Sequence, residues 1–440
     1  MTMIIMEKDK ETNKEINQSE QSHPSQKSAV QTMVGFKNTE VGLIPEDWYL
    51  LSYGEIFDFL NTATYSRAQL TENEEIGYVH YGDIHVKCVH FIDLDKIKLP
   101  TINRDLLKNY PTLKDGDLIV VDASEDYEGV GKSVEVRNLK NRKAISGLHT
   151  FLLRDKEEKI ANGFKGYIHS NKLVKKQMDT LATGLKVYGV SKNNLKKILI
   201  PLPPKPEQEA IAKVLSDTDT LIEKLEQLIA KKRNIKTGAM QELLKPKEGW
   251  EVKKLGEVAN FFSGGTPSTS NSAYYGGNIP WITSSDLNKE KIFEVDGKIT
   301  EEGLMNSSAK MVRKGTLLLA LYGATAGVTA ITFIDAAINQ AVLAIEPNSD
   351  SSEFLFYKLT SLKTWIVSTF TQGGQANLSG NIIKALELEF PNMEEQTRIA
   401  QILSDMDSEI EALERQLAKY KLLKQGMMQV LLTGKIRLNH

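Results

Sequence analysis

The sequence predicts an α+β fold built twice: two mixed domains, each followed by a long helix, the two helices pairing as an antiparallel coiled coil with pseudo-twofold symmetry. Three observations predict it. One helical segment occurs twice, the segments that lead into each domain also occur twice, and between them short β-type runs alternate with helical ones.

Taken in order, residues 1–40 are rich in Lys, Glu, Asn, Gln and Ser with almost no aromatics, which predicts a disordered polar arm. The first domain spans 41–204. Its lead-in Pro45-Glu-Asp-Trp48 is echoed at Lys247-Glu-Gly-Trp250, and Gly54-Glu-Ile56 is echoed at Gly256-Glu-Val258. Strands are predicted at Ile76-Gly-Tyr-Val-His80, Gly116-Asp-Leu-Ile-Val-Val121 and His149-Thr-Phe-Leu-Leu153, where apolar residues are bounded by Gly and Asp. A helix over 205–245 follows, begun by Pro206 and stopped by Lys245-Pro246. The second domain, 246–391, has strand runs at Gly315-Thr-Leu-Leu-Leu-Ala320 and Gln340-Ala-Val-Leu-Ala-Ile345, and a helix from Glu353 to Phe370. The second long helix covers 392–434, with Asn392 and Glu395 at capping-box spacing, and 435–440 is a tail.

The helices carry the strongest signal. Glu207-Gln-Glu-Ala-Ile-Ala-Lys-Val-Leu-Ser-Asp-Thr-Asp219 returns 188 positions later as Glu395-Gln-Thr-Arg-Ile-Ala-Gln-Ile-Leu-Ser-Asp-Met-Asp407, and about 20 of 38 positions agree through Leu244 and Leu432. The lead-in segments are offset by 202, so the first body is about fourteen residues longer than the second. Ile211, Leu215, Thr218, Ile222, Leu225 and Ile229, and in the second copy Ile399, Leu403, Met406, Ile410, Leu413 and Leu417, step by threes and fours. That is a coiled-coil seam. Gly238 and Gly426 occupy equivalent places and suggest a close backbone approach or a bend, because a mid-helix glycine costs about 1 kcal/mol against alanine.

Composition limits the function classes. The net charge of −2 gives no global sign of a nucleic-acid binder, yet residues 136–197 carry fifteen Lys or Arg. The single cysteine, Cys88, excludes an internal disulfide framework and fits the cytoplasm, and no apolar run reaches the length needed to span a membrane.

Catalytic motifs are incomplete. Gly129-Val-Gly-Lys-Ser133 resembles the end of a phosphate loop, but Asp126 stands where the pattern needs glycine, and Glu125 and Glu128 would repel a triphosphate. His80, His85, Cys88 and His90 match no standard zinc spacing. Asp122 with Glu135 is only loosely a nuclease pair. No amino-methylation motif and no Ser/His/Asp constellation occurs.

What remains is loop chemistry suited to phosphates and base edges: glycines that let backbone approach, with Ser, Thr, Asn, Gln and Tyr to present donors and acceptors. In the first body the candidates are Tyr65, Arg67, Tyr81, Asp83, Ser124, Glu125, Tyr127, Lys132, Arg142 and Lys143. In the second they are Thr266, Thr283, Ser284, Ser285, Tyr322, Thr325, Gln372, Gln375 and Asn377. No metal ligands are assigned.

Two divergent domains alternating with matching helices, the Gly265-Thr-Pro loop after Gly-Glu-Val258, Ile279-Pro-Trp-Ile282 and the repeated Glu-Gln…Ile-Ala…Leu-Ser-Asp helix starts resemble the specificity subunit of type I restriction-modification systems, over residues 41 to about 435. The resemblance implies one target-recognition domain per half of a bipartite double-stranded DNA target. The helices would set the spacer and dock two methyltransferase subunits and the restriction subunits. It also implies a chain without chemistry of its own, with S-adenosylmethionine, ATP and Mg used by those partners. The rival readings are a nuclease or nucleotide-hydrolysing enzyme using residues 122–135, and a coiled-coil adaptor that binds only proteins.

Overall fold

The computed structural model describes residues 35–106, 109–124, 129–182, 188–371 and 377–438, so most of the arm expected over 1–40 lies outside them. Ordered chain begins before residue 41, because Phe36–Thr39 pairs antiparallel with Gly42–Pro45. Two compact units follow. The first runs to Ile222 and resumes at Tyr420, and the second is Glu223–Lys419, so each includes part of each long helix, Lys205–Leu243 and Met393–Leu431.

The first unit has a five-stranded sheet in the order Phe57–Leu60, Thr150–Asp155, Leu118–Val121, Ser133–Arg137, Phe91–Asp93, antiparallel except for the last pair. Beside it lies a three-stranded sheet, Lys143–Ser146, Ile76–Val79, Thr101–Ile102. The second unit repeats the larger sheet with Ala259–Ser263, Val342–Pro347, Leu317–Ala320, Thr329–Thr332 and Lys291–Ile292, again parallel only at the last pair. Its smaller sheet is Lys298–Ile299, Tyr275–Ile282, Ala336–Ile338, Lys310–Val312. Two bodies that diverge in sequence therefore share one topology. The middle strands explain how: every residue of Leu118–Val121 and of Leu317–Ala320 is buried, so Leu-Ile-Val-Val and Leu-Leu-Leu-Ala satisfy the same apolar layer.

Each long helix starts on a buried amide. The Gln208 side chain accepts from Ala161 N–H (2.8 Å) and donates to the Pro203 carbonyl (2.9 Å). Gln396 does the same with Ser351 N–H (3.0 Å) and Pro391 (3.0 Å). Asn392 caps the second helix by accepting from Glu395 N–H at 2.9 Å.

The apolar stripe is not one seam from end to end. Ile211 and Leu215 pack into the core of the first unit, and Ile399, Leu403 and Met406 into that of the second. The last turns do likewise, Leu431 and Leu432 in the first unit and Leu244 in the second. A sheet-and-helix core offers those ends more apolar area than a facing helix could. Only the middle of the stripe, with Leu225, Ile229 and Ile410 buried and Ile222, Leu413 and Leu417 half-buried, lies outside those cores. The expected close approach at the glycines is also absent, since a Cβ at Gly238 or Gly426 would meet nothing within 4 Å.

Helix-to-helix ion pairs recur at repeat-equivalent positions. In the first unit Lys424 pairs with Asp219, which also accepts from the Tyr167 hydroxyl at 2.8 Å. In the second, Lys236 pairs with Asp407, which accepts from Tyr357 at 2.7 Å. Lys232–Glu409 (2.6 Å) and Arg233–Glu414 (2.5 Å) extend the second set.

The tail is an anchor rather than a loose end. Arg437 donates to both Glu207 (2.6 and 2.7 Å) and Asp47 (2.8 and 2.7 Å), and its guanidinium holds the Asp47 carboxyl below its ordinary range. Gly434, at φ +68°, lies so close to Pro45 and Trp48 that a Cβ would come within 2.3 Å of the proline ring.

Candidate nucleic-acid interface

In the second unit Tyr275–Ile282 and Ala336–Ile338 run parallel with Ile282 opposite Ile338, so the chain leaves both strands at the same end. Asn339 N–H donates back to the Ile282 carbonyl (3.1 Å), while Gly264 and Gly265 N–H groups donate to Asn339 (3.2 Å) and Ile338 (3.1 Å). A Cβ on Gly264 would sit 1.8 Å from the Ile338 oxygen, so this approach requires glycine. The Thr266 hydroxyl then reaches Gln340 Oε1 at 2.6 Å. The rim continues through Leu321 N–H to the Ala341 carbonyl (2.8 Å) and Leu378 N–H to Leu321 (2.8 Å), with Tyr322 bridged to Asn377.

The first unit builds the same rim with other residues. Val79 lies opposite Ser146 in a parallel pair. Gly147 N–H donates to Val79 (2.9 Å), Ala63 to Ser146 (2.9 Å), Asp122 to His149 (3.1 Å) and Val190 to Asp122 (2.9 Å). Gly189 pairs with Ala123 where the second unit has the Tyr322–Asn377 bridge, and Tyr188 with Ser124 extends that pairing by one residue. Four of the five backbone bonds of the second rim, all but Gly264 to Asn339, have a counterpart in the first, whereas the side chains they carry differ.

The expected contact residues are distributed unevenly over these rims. Glu125, Tyr127, Gln372 and Gln375 lie outside the described residues. Thr266, Thr283, Ser284, Ser285, Tyr322, Thr325 and Asn377 all fall on the second rim. Tyr322 is 42% exposed, and Thr283 is fixed by Asp286, which its hydroxyl meets at 2.8 Å. In the first unit several candidates hold the protein itself. Asp83 is buried and pairs with Arg67 (2.6 Å) and Lys87 (2.8 Å), because a carboxylate removed from water needs cations. Ser124 is buried in its strand pair, Lys132 donates to the His85 carbonyl at 3.0 Å, and the Tyr65 hydroxyl donates to the Leu106 carbonyl. Arg142 pairs with Asp95 at 2.7 Å, and so does the neighbouring Lys140 at 2.6 Å, which neutralises part of the basic region in place. Lys143 is exposed, and Tyr81 is half-buried with the His149 ring 5.3 Å away, edge to face.

Sequence reasoning missed Gln340, His149 and Asp122 as rim residues. Gln340 and His149 sat inside or beside predicted strands, and the signal that identifies them, the parallel exit of two distant strands, exists only in three dimensions.

The two carboxylates of the loosely drawn nuclease pair each contact the protein itself. Glu135 is buried and accepts from Gly163 N–H (2.6 Å) and Gly166 N–H (2.9 Å), while Asp122 contacts His149. Burial raises both carboxyls, and the two glycine N–H groups oppose the rise at Glu135. Burial also pushes the Cys88 thiol up to about 11, which leaves it a core residue rather than a nucleophile. Among the described residues no group of three or more His, Cys, Asp or Glu is placed to hold a metal ion, and no helix is long and apolar enough to cross a membrane.

The family model described as the type I restriction modification DNA specificity domain matches residues 45–231 and again 247–420. The type I restriction enzyme MjaVIII specificity subunit of Methanocaldococcus jannaschii is 24% identical over 436 residues, covering 92% of this chain and 96% of its own. The MjaIX specificity subunit of the same organism is 37% identical over 180 residues, 39% of this chain and 40% of its own. The crystal structure of a type I restriction-modification S subunit from M. genitalium shares the fold, with a TM-score of 0.54 at 17% identity over 87% of this chain and 96% of that one. Because the family match falls once on each repeat and takes in both lead-in segments and both rims, this chain belongs to the specificity subunits of type I restriction-modification systems.

Proposed function

We propose that each of the two domains reads one half of a bipartite double-stranded DNA target and that the chain does no chemistry itself. The observation that carries this reading is the pair of rims: corresponding backbone frames, different polar side chains. Such a frame holds recognition groups rigidly while leaving their identity free, which is what reading two different half-sites requires.

The middle stretches of the long helices pair antiparallel and set the spacer between half-sites. Support comes from the ion pairs, whose partners on the second helix move back from Lys424 at Asp219, through Glu409 and Glu414 at Lys232 and Arg233, to Asp407 at Lys236. The repeat offers near-equivalent surfaces, so two methyltransferase subunits dock per chain, along with restriction subunits, in the cytoplasm. S-adenosylmethionine, ATP and Mg belong to those partners.

The test is methylation mapping in cells with and without the gene, together with DNA binding by the assembled complex across a salt series. A gap-separated motif that disappears with the gene, and binding that weakens steeply with salt, is the expected result. Hydrolysis of DNA or ATP by the isolated chain, or no DNA binding in any assembly, would overturn it.

A further inference from the structure

We propose that His149, oriented by Asp122, reads the amino group of an adenine or cytosine at one position of the first half-site. This rests on the reading of the chain as a DNA-recognition subunit and names residues within it.

The first argument is the comparison between the two rims. Asp122 and His149 occupy the backbone places that Leu321 and Ala341 occupy in the second unit, where the same N–H to carbonyl bonds form at 2.8 Å rather than 3.1 Å. The frame does not need a polar pair there. The second argument is conformation: His149 sits at φ +57°, a left-handed backbone that glycine or asparagine adopts with less strain. The turn gains nothing from histidine, so the side chain is the reason for it. The third is the grip on the ring. Nδ1 lies 3.2 Å from the Asp122 carboxylate, and the Tyr81 ring meets the imidazole edge to face at 5.3 Å. The His149 side chain nevertheless stays 48% exposed, against 28% for Asp122, so the carboxylate stands behind and the imidazole in front.

The recognised chemistry follows from the tautomer. A carboxylate at Nδ1 places the ring proton there, which makes Nε2 of a neutral imidazole a hydrogen-bond acceptor. In the major groove the complementary donors are the adenine N6 and cytosine N4 amino groups. Asp122 is thus a positioning residue. It fixes which nitrogen faces the base without touching the base.

The experiment compares the wild-type complex with His149→Gly, Asp122→Ala and Asp122→Asn in a randomised-site binding selection at pH 8, with thermal unfolding measured in parallel. Glycine suits the left-handed backbone, so His149→Gly keeps the fold. The expected result is a roughly tenfold loss of preference for adenine or cytosine at one position of the first half-site, with the second half-site unchanged. Asp122→Ala lowers the same preference, and Asp122→Asn, whose amide oxygen can still accept from Nδ1, restores most of it. Preference kept at every position by a folded His149→Gly variant would overturn the proposal. So would equal loss in both half-sites. A wild-type complex with no bipartite preference would instead refute the underlying DNA-recognition reading.

Discussion

Asp407 accepts from the Tyr357 hydroxyl and pairs with Lys236, and its repeat partner Asp219 does the same with Tyr167 and Lys424. Lys236 and Asp407 side chains are 18% and 13% exposed, so removing one leaves the other charge poorly solvated. Asp407→Ala is expected to destabilise by about 3 kcal/mol, and adding Lys236→Met to recover most of that, since breaking a buried pair costs more than replacing it with apolar groups. Chemical denaturation of the four variants of the cycle checks this; equal losses in single and double variants would show that the pair is not coupled. A second residue-level prediction concerns acid. Burial lowers His90 and His169 from the ordinary 6.5 to about 4, so the unfolded chain binds protons that the folded chain refuses. Stability is therefore full above about pH 6.5 and declines as pH falls toward 4. No histidine lies between residues 170 and 439, so amide exchange during mild acidification should rise first in the first unit. Simultaneous loss of protection in both units would assign the acid effect to other groups.

Among the elements, the long helices combine two tasks that a simple seam would not. Their ends are core elements of the bodies, through Ile211, Leu215, Ile399 and Leu403, and only their middles lie outside those cores. One heptad inserted between Ala230 and Lys231, and another between Ala418 and Lys419, keeps the stripe in register and adds about 10 Å to each helix. The expected outcome is a spacer longer by roughly three base pairs, weaker binding because the half-sites are rotated, and unchanged half-site bases. A folded, active double-insertion variant with the original spacer would remove the helices as the ruler.

For the whole molecule, the duplicated rim predicts modular specificity. Replacing residues 57–200 with the corresponding segment of a relative should change one half of the methylated motif and leave the other intact, because the backbone bonds named above for the first rim are internal to that segment. Methylome sequencing of the hybrid decides it. Changes in both halves together would mean that the domains do not read independently.

The repeat, and with it the two helices, the paired lead-ins and the division into two mixed domains, was legible in the sequence because identity between copies is a one-dimensional signal. Helix periodicity located the apolar stripe for the same reason. What periodicity could not say is which surface the stripe meets, since Ile211 and Leu225 look alike in sequence while one packs in a domain core and the other lies outside it. Nor could the sequence show that the bodies share a topology, because buried strands tolerate any apolar set that fills the layer, Leu-Ile-Val-Val or Leu-Leu-Leu-Ala. The rims belong wholly to the tertiary structure. Asp122 and His149, or Thr266 and Gln340, stand 27 and 74 residues apart along the chain, and only the antiparallel pairing of the strands they flank, with Val121 opposite Thr150 and Ser263 opposite Leu343, brings such pairs into hydrogen-bonding distance.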